Sequence, residues 1–85
     1  MGLREQALYS VKNGTSLSKY PDFINDKEVV LAAVNKDTYN ILHASPELQM
    51  DEEVALAVVN KDGFALKLLP NFKNNKKVVL AALHP

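Results

Sequence analysis

The sequence predicts an all-α fold of short tandem helical repeats, and three observations carry that prediction. An apolar run behind a capping residue occurs three times: DKEVVLAAVNKD at 26–37, DEEVALAVVNKDG at 51–63 and NKKVVLAALHP at 75–85. The spacing is regular, with 25 residues from Glu28 to Glu53 and 24 from Glu53 to Lys77. A second motif interleaves in the same register, as YPDFIN at 20–25, SPELQM at 45–50 and LPNFKN at 69–74. Self-similarity at a fixed period marks stacked units, none of which buries its apolar face alone. The expected architecture is one domain over 1–85, a compact right-handed or solenoid-like array of units of about 25 residues. Its expected parts are a degenerate unit at 4–25, full units at 26–50 and 51–74, and a partial unit at 75–85.

The opening unit is the most polar, with Arg4, Gln6, Ser10 and Ser16, and suits a cap. Within it Gly14 stands opposite Gly63 and Leu17 opposite Leu66, at the same spacing of 49 that relates Pro21 to Pro70.

Each apolar run reads as a helix. Asp26, Asp51 and Asn75 share one repeat position, and all three residue types accept hydrogen bonds from the orphan N–H groups of a first turn. Glu28 and Glu53 then lie where the helix dipole favours negative charge. Val29 to Val34 are apolar on every side, and alone such a run also fits a buried strand. Two central alanines, the Asp cap and the spacing favour a helix buried on most faces. Asn-Lys-Asp at 35–37 and 60–62 ends the helix, and Gly63 predicts a sharper turn in the second copy.

Asp37 and Asp62 are caps for short helices over 38–44 and 63–69. Their apolar positions are Tyr39, Ile41, Leu42 and Ala44, then Phe64, Leu66, Leu68 and Leu69. Ser45-Pro46 is a start signal for about one turn ending at Met50. Helices this short are marginal alone in water, so their stability must come from the next copy. The last run, with Val78, Val79, Leu80, Ala82 and Leu83, is expected to tuck in as the final layer. The alternative is a self-associating fragment of a longer array, whose open face takes a partner or another copy.

The wording of the repeat resembles the DUF4116 family, a domain of unknown function. The resemblance rests on Asp26, Glu28-Val29-Val30, Ala33-Val34, Lys36-Asp37, Ile41-Leu42, Ala44-Ser45 and Glu47-Leu48. It recurs as Asp51, Glu53-Val54, Val58-Val59, Asp62-Gly63 and Ala65-Leu66. It covers nearly the whole chain and departs in the third copy, where Lys76-Lys77 replace the acidic first turn. It implies a helical repeat, found in tandem within larger proteins of protists, large viruses and intracellular bacteria, and it supplies no catalytic residues to carry over.

Composition narrows the function classes. Eighty-five residues allow one domain with a modest core. Ten basic residues balance ten acidic ones, so no net field favours nucleic acid or an anionic membrane. There is no cysteine, which excludes disulfides and thiol catalysis. No apolar stretch approaches the roughly 18–20 residues of a membrane span, and residues 1–12 do not resemble a signal peptide. A cytoplasmic setting is the default, with delivery into a host cell if the source is an intracellular bacterium.

Reactive constellations are missing. His43 and His84 are far apart in sequence with no convincing ligand partners, whereas a metal site needs three or four converging ligands. His43 reads as a packing residue, and His84 as a residue near a helix C-terminus, where an imidazolium is mildly favoured. Asp51, Glu52 and Glu53 read as capping residues before acid–base catalysts. No Ser-His-Asp set or phosphate loop is present. No enzyme activity, cofactor or metal is expected.

Two groups remain as binding candidates. Lys73, Lys76 and Lys77 form a basic run at a helix start, suited to an anion, an acidic partner, nucleic acid or an anionic lipid. The plainer reading is a solvated face offset by the acids at 51–53. Tyr20, Phe23 and Phe72 flank the prolines and would anchor a partner if exposed. The regular placement of these and of Tyr9, Tyr39 and Phe64 favours core packing. The leading expectation is a non-enzymatic helical repeat module for protein–protein interaction or scaffolding.

Overall fold

The computed structural model describes residues 2–83, and among them every regular element is helical. The α-helices are α1 (Leu3–Lys12), α2 (Lys27–Lys36), the one-turn α3 (Pro46–Gln49), α4 (Glu52–Lys61) and α5 (Lys76–Leu83). Between them run 3₁₀ segments over Leu17–Lys19, Pro21–Phe23, Thr38–His43, Gly63–Leu68 and Pro70–Phe72. The four longer helices start at Leu3, Lys27, Glu52 and Lys76, hence 24, 25 and 24 residues apart. The array is all-α, as the sequence predicts, and its helices recur at a spacing consistent with tandem repeats.

The predicted caps hold the helix starts. The Oδ1 atoms of Asp26, Asp51 and Asn75 accept from the N–H groups of Val29, Val54 and Val78 at 3.3, 3.1 and 3.0 Å. Asp37 and Asp62 accept from the N–H groups of Tyr39 and Phe64, each at 3.0 Å. A cap of this kind contributes about 1 kcal/mol relative to alanine.

The 49-residue match is a match of backbone. Tyr20 (φ −128, ψ 65) and Leu69 (φ −123, ψ 65) precede Pro21 and Pro70 in the same conformation, and each proline opens a 3₁₀ turn. The intervening link differs, because Ser45 caps Leu48 and opens α3. The link geometry therefore repeats every second unit.

The two glycines placed opposite one another by sequence have different roles. Gly14, at φ +104, ends α1. Thr15 donates its N–H to Ser10 at 2.9 Å and Gly14 donates to Val11 at 3.2 Å, the paired bonds of a left-handed helix stop. Gly63 has no positive φ, and the residue before it, Asp62 (φ −154, ψ 105), matches Asp37 (φ −150, ψ 113) in the copy where Thr38 stands instead. The expected sharper turn is absent. What requires glycine is α5: a Cβ at Gly63 would lie 2.2 Å from the Ala82 carbonyl oxygen.

The helices stack in order, α1 on α2, α2 on α4 and α4 on α5, giving a body of 40 × 23 × 15 Å. Val29, Val30, Ala33 and Val34 of α2 and Val54, Ala55, Val58 and Val59 of α4 are all buried. These four positions share one face of each helix, and Leu31, Ala32, Leu56 and Ala57 on the other side are only half-buried, so burial is less complete than the apolar runs led one to expect. Each buried valine contributes on the order of 1.5–3 kcal/mol. A buried polar tie joins the first two units. Leu17 donates its N–H to Asn40 Oδ1 at 3.0 Å, and Asn40 Nδ2 donates to the Ala33 carbonyl at 2.9 Å.

One expectation about the core is overturned. Tyr9, Tyr39 and Phe64 are exposed, as is Leu42. The cause for three of them is the 3₁₀ period, in which residues three apart share a face. Thr38, Ile41 and Ala44 point inward, and Tyr39 and Leu42 are left outside.

Candidate functional site

The turns that follow α2 and α4 form the most distinctive surface. Each presents a lysine, an aspartate and, two residues on, an aromatic: Lys36, Asp37 and Tyr39, then Lys61, Asp62 and Phe64. Tyr39 is 53% exposed and Phe64 89%, although each is the largest residue of its turn. The aspartate accepts from the backbone N–H of each aromatic and so sets the backbone of the turn that carries it. Between them lies a small cleft of about 50 Å³, lined by Thr38, Asp62, Ala65 and Lys67. Wider depressions flank it. One of about 560 Å³ runs from Gly14 past Lys36 to Lys61. The other, about 620 Å³, lies between Phe64, Leu66 and the end of α5 at Ala82 and Leu83. The result is an open aromatic ridge with charge of both signs beside it.

A second feature runs along the edge where the helices begin. A side chain from the first turn of one unit reaches the capping residue of the next unit and the second helical residue beyond it. Arg4 binds Asp26 (Nε–Oδ2 2.5 Å, Nη2–Oδ1 3.1 Å) and Glu28 (2.5 Å). Lys27 binds Asp51 at 3.0 Å and Glu53 at 2.7 Å. At the third step the sign reverses. Glu52 accepts from Asn75 Nδ2 at 3.1 Å and pairs with Lys77 at 3.4 Å. Arg4 stands 23 residues before Lys27, and the buried pair Ala7 and Val11 stands 23 before Val30 and Val34. The first helix is thus one residue out of step with the others, and the edge contact is kept.

These contacts shift ionisation in the expected directions. Hydrogen bonds from Arg4 hold the Asp26 carboxyl below its ordinary range, and those contacts raise the Arg4 guanidinium further. Glu53, then Asp51, raise the Lys27 ammonium. Partial burial pushes Asp51 up, but Lys27 and the Val54 N–H outweigh it and the group ends low. Asn75, then Lys77, lower Glu52.

Comparison with known families agrees with the repeat wording. The pattern of a domain of unknown function, DUF4116, matches residues 4–49 and 51–84. The chain belongs to the DUF4116 family. The break between the two matched stretches falls immediately before the Asp51 cap of α4. No match was found among curated proteins or among solved structures.

The candidate residues of this DUF4116 domain fall in different places. Phe72 is buried at 6% exposure and offers no anchor, while Tyr20 and Phe23 are half-buried against the core. Their prolines turn the link so that the aromatics face inward. Lys73, Lys76 and Lys77 are all exposed. Lys77 is paired with Glu52, as the plainer reading of the basic run expects. Among the described residues Lys73 and Lys76 form no ion pair. As an anion site the run is weakened, because Asn75 Oδ1 already takes the Val78 N–H and Glu52 sits against Lys77. His43 is exposed, and His84 lies outside the described residues. No group of three His, Asp or Glu side chains able to hold a metal ion is found among the described residues. No helix of the described residues is long and apolar enough to cross a membrane.

Sequence reasoning missed the ridge because it assigned Tyr39 and Phe64 to α-helical faces. The signal was present in the three-residue spacing of Thr38, Ile41 and Ala44. It also missed Asn40, whose position in the following copy is taken by the buried Ala65.

Proposed function

We propose that this DUF4116 domain is a non-enzymatic protein-interaction module that engages a partner along the ridge of its turns. The observation that carries this reading is the exposure of Tyr39 and Phe64, 25 residues apart at one repeat position. Aromatic side chains are enriched among the residues that dominate binding energy, and with two side-chain torsions they cost little to order. Lys36 and Lys61, beside Asp37 and Asp62, supply a polar rim of mixed sign. The zero net charge supports a protein partner over a polyanion.

The test is capture of partners from a native extract by the whole domain, in parallel with the Tyr39→Ala, Phe64→Ala double variant. The reading predicts a partner retained by the parent and lost by the variant, with the unfolding midpoint unchanged. Equal recovery by both would reject the ridge as the binding surface.

A further inference from the structure

The dipeptide Asn13-Gly14 carries a covalent chemistry of its own. An asparagine side chain followed by glycine is open to attack by the next backbone nitrogen, because glycine has no Cβ to shield that nitrogen. The Gly14 nitrogen gives up its proton and bonds to the Asn13 Cγ. The Cγ–Nδ2 bond breaks, and ammonia leaves with that proton. Water then opens the five-membered imide at either carbonyl, leaving aspartate or isoaspartate at position 13. Both residues are exposed, so water and base reach them. Every other asparagine of the chain is followed by a residue with a Cβ.

The fold sets three obstacles at this place. Ring closure needs the Asn13 Cβ and the Gly14 nitrogen eclipsed about the Asn13 Cα–C bond, and ψ 9 holds them far from that arrangement. Gly14 donates its N–H to the Val11 carbonyl at 3.2 Å, so the attacking group is occupied. Asn13 Nδ2 donates to the Tyr9 carbonyl at 2.7 Å, which turns the side chain back along α1. All three belong to the left-handed stop that Thr15 closes on Ser10, with Gly14 at φ +104.

We propose that Asn13-Gly14 is a site of spontaneous deamidation that the folded α1 stop holds closed, and that the reaction, once it occurs, fixes the stop open. The native rate follows the fraction of time the stop is open. The product loses the bond to Tyr9 and sets a carboxylate against that carbonyl, at a helix end where negative charge is disfavoured. Isoaspartate also adds a methylene to the main chain before Gly14. The bonds from Gly14 to Val11 and from Thr15 to Ser10 then cannot both re-form. The site lies on neither Tyr39 nor Phe64, so it stands apart from the ridge reading.

The test incubates the whole domain in mildly alkaline buffer, with and without urea beyond its unfolding midpoint. Peptide mass spectrometry reads conversion at each asparagine, and enzymatic methylation counts isoaspartate. Conversion at Asn13 should be at least about tenfold slower in the folded protein, and in urea the other asparagines should lag behind it. Asn13→Gln should remove the signal in urea, because a six-membered ring closes far more slowly, and should keep the fold at this exposed position. Converted protein, separated by its extra negative charge, should exchange the Thr15 amide at least about tenfold faster than the parent while α4 keeps its protection. Equal rates with and without urea, no conversion even in urea, or another asparagine reacting first overturns the proposal. So does unchanged exchange at Thr15 in the converted protein.

Discussion

Glu52 and Lys77 lie 3.4 Å apart across the α4–α5 step, in the opposite charge order to Lys27 and Glu53 across the α2–α4 step. The contact is kept while its sign is exchanged. Register between units is therefore a matter of geometry: a first-turn side chain always falls beside the next cap. The sign at each step then becomes a means of selecting which neighbour fits.

Acid should loosen this edge. Asp26, Asp51 and Glu52 have folded-state values below their unfolded ones, so their contribution is present above the unfolded values, near pH 4, and is lost as pH falls through the lower folded values. Lys27 is raised, so its contribution is present below its unfolded value near pH 10.4 and is lost as pH rises through the folded one. Urea midpoints should be flat from about pH 5 to 10 and fall at either side, and 1 M salt should flatten the curve. A midpoint that rises on acidification would contradict the ionised contacts.

Asn40→Leu should destabilise the fold by about 1–3 kcal/mol, because the Leu17 N–H is left buried without a partner. The Ala33 carbonyl keeps its bond from the Asp37 N–H, which limits the loss to one group. Urea unfolding with amide exchange at Leu17 checks both parts.

Gly63→Ala should cost about 1–3 kcal/mol and free α5 from the body. The new methyl would meet the Ala82 backbone, which cannot rotate away as a side chain would. Thr38→Ala is the control, because that turn already carries a Cβ in the same setting. Helicity lost from α5 alone, read by residue-level amide exchange, is the expected result.

Removal of the ridge aromatics should leave stability nearly unchanged. Surface substitutions away from caps and core fall within about 0.5 kcal/mol, and Phe64→Ala at 89% exposure is such a case. By contrast Phe72→Ala, at 6% exposure, should cost about 3–5 kcal/mol. Equal thermal stability of the two variants would contradict the assignment of one to the surface and the other to the core.

The extent to which the sequence foretold this molecule follows from what each residue answers to. Asp26, Asp51, Asn75, Asp37, Asp62 and Ser45 act on groups two or three residues away, so their roles were legible. The apolar runs were legible because each inner helix buries one face fully and leaves the apolar residues of the other side half-covered, with its polar residues kept to the two ends. Tyr39, Phe64 and Phe72 were not, because inward or outward placement depends on the 3₁₀ period and on the path after each proline. The reason for Gly63 lies 19 residues away at Ala82, and that of Asn40 lies 23 away at Leu17; only the packed units bring those groups together.

The most direct test of the unit-to-unit register is a double-mutant cycle on Lys27 and Glu53. Lys27→Glu should lower the urea midpoint by setting like charge against Asp51 and Glu53. Adding Glu53→Lys should recover much of that loss, even though the new lysine sits in a first turn, where Lys77 already shows that one is accommodated. Losses that simply add in the double variant would mean that the two side chains do not meet and that the stacking register described for α2 and α4 is wrong.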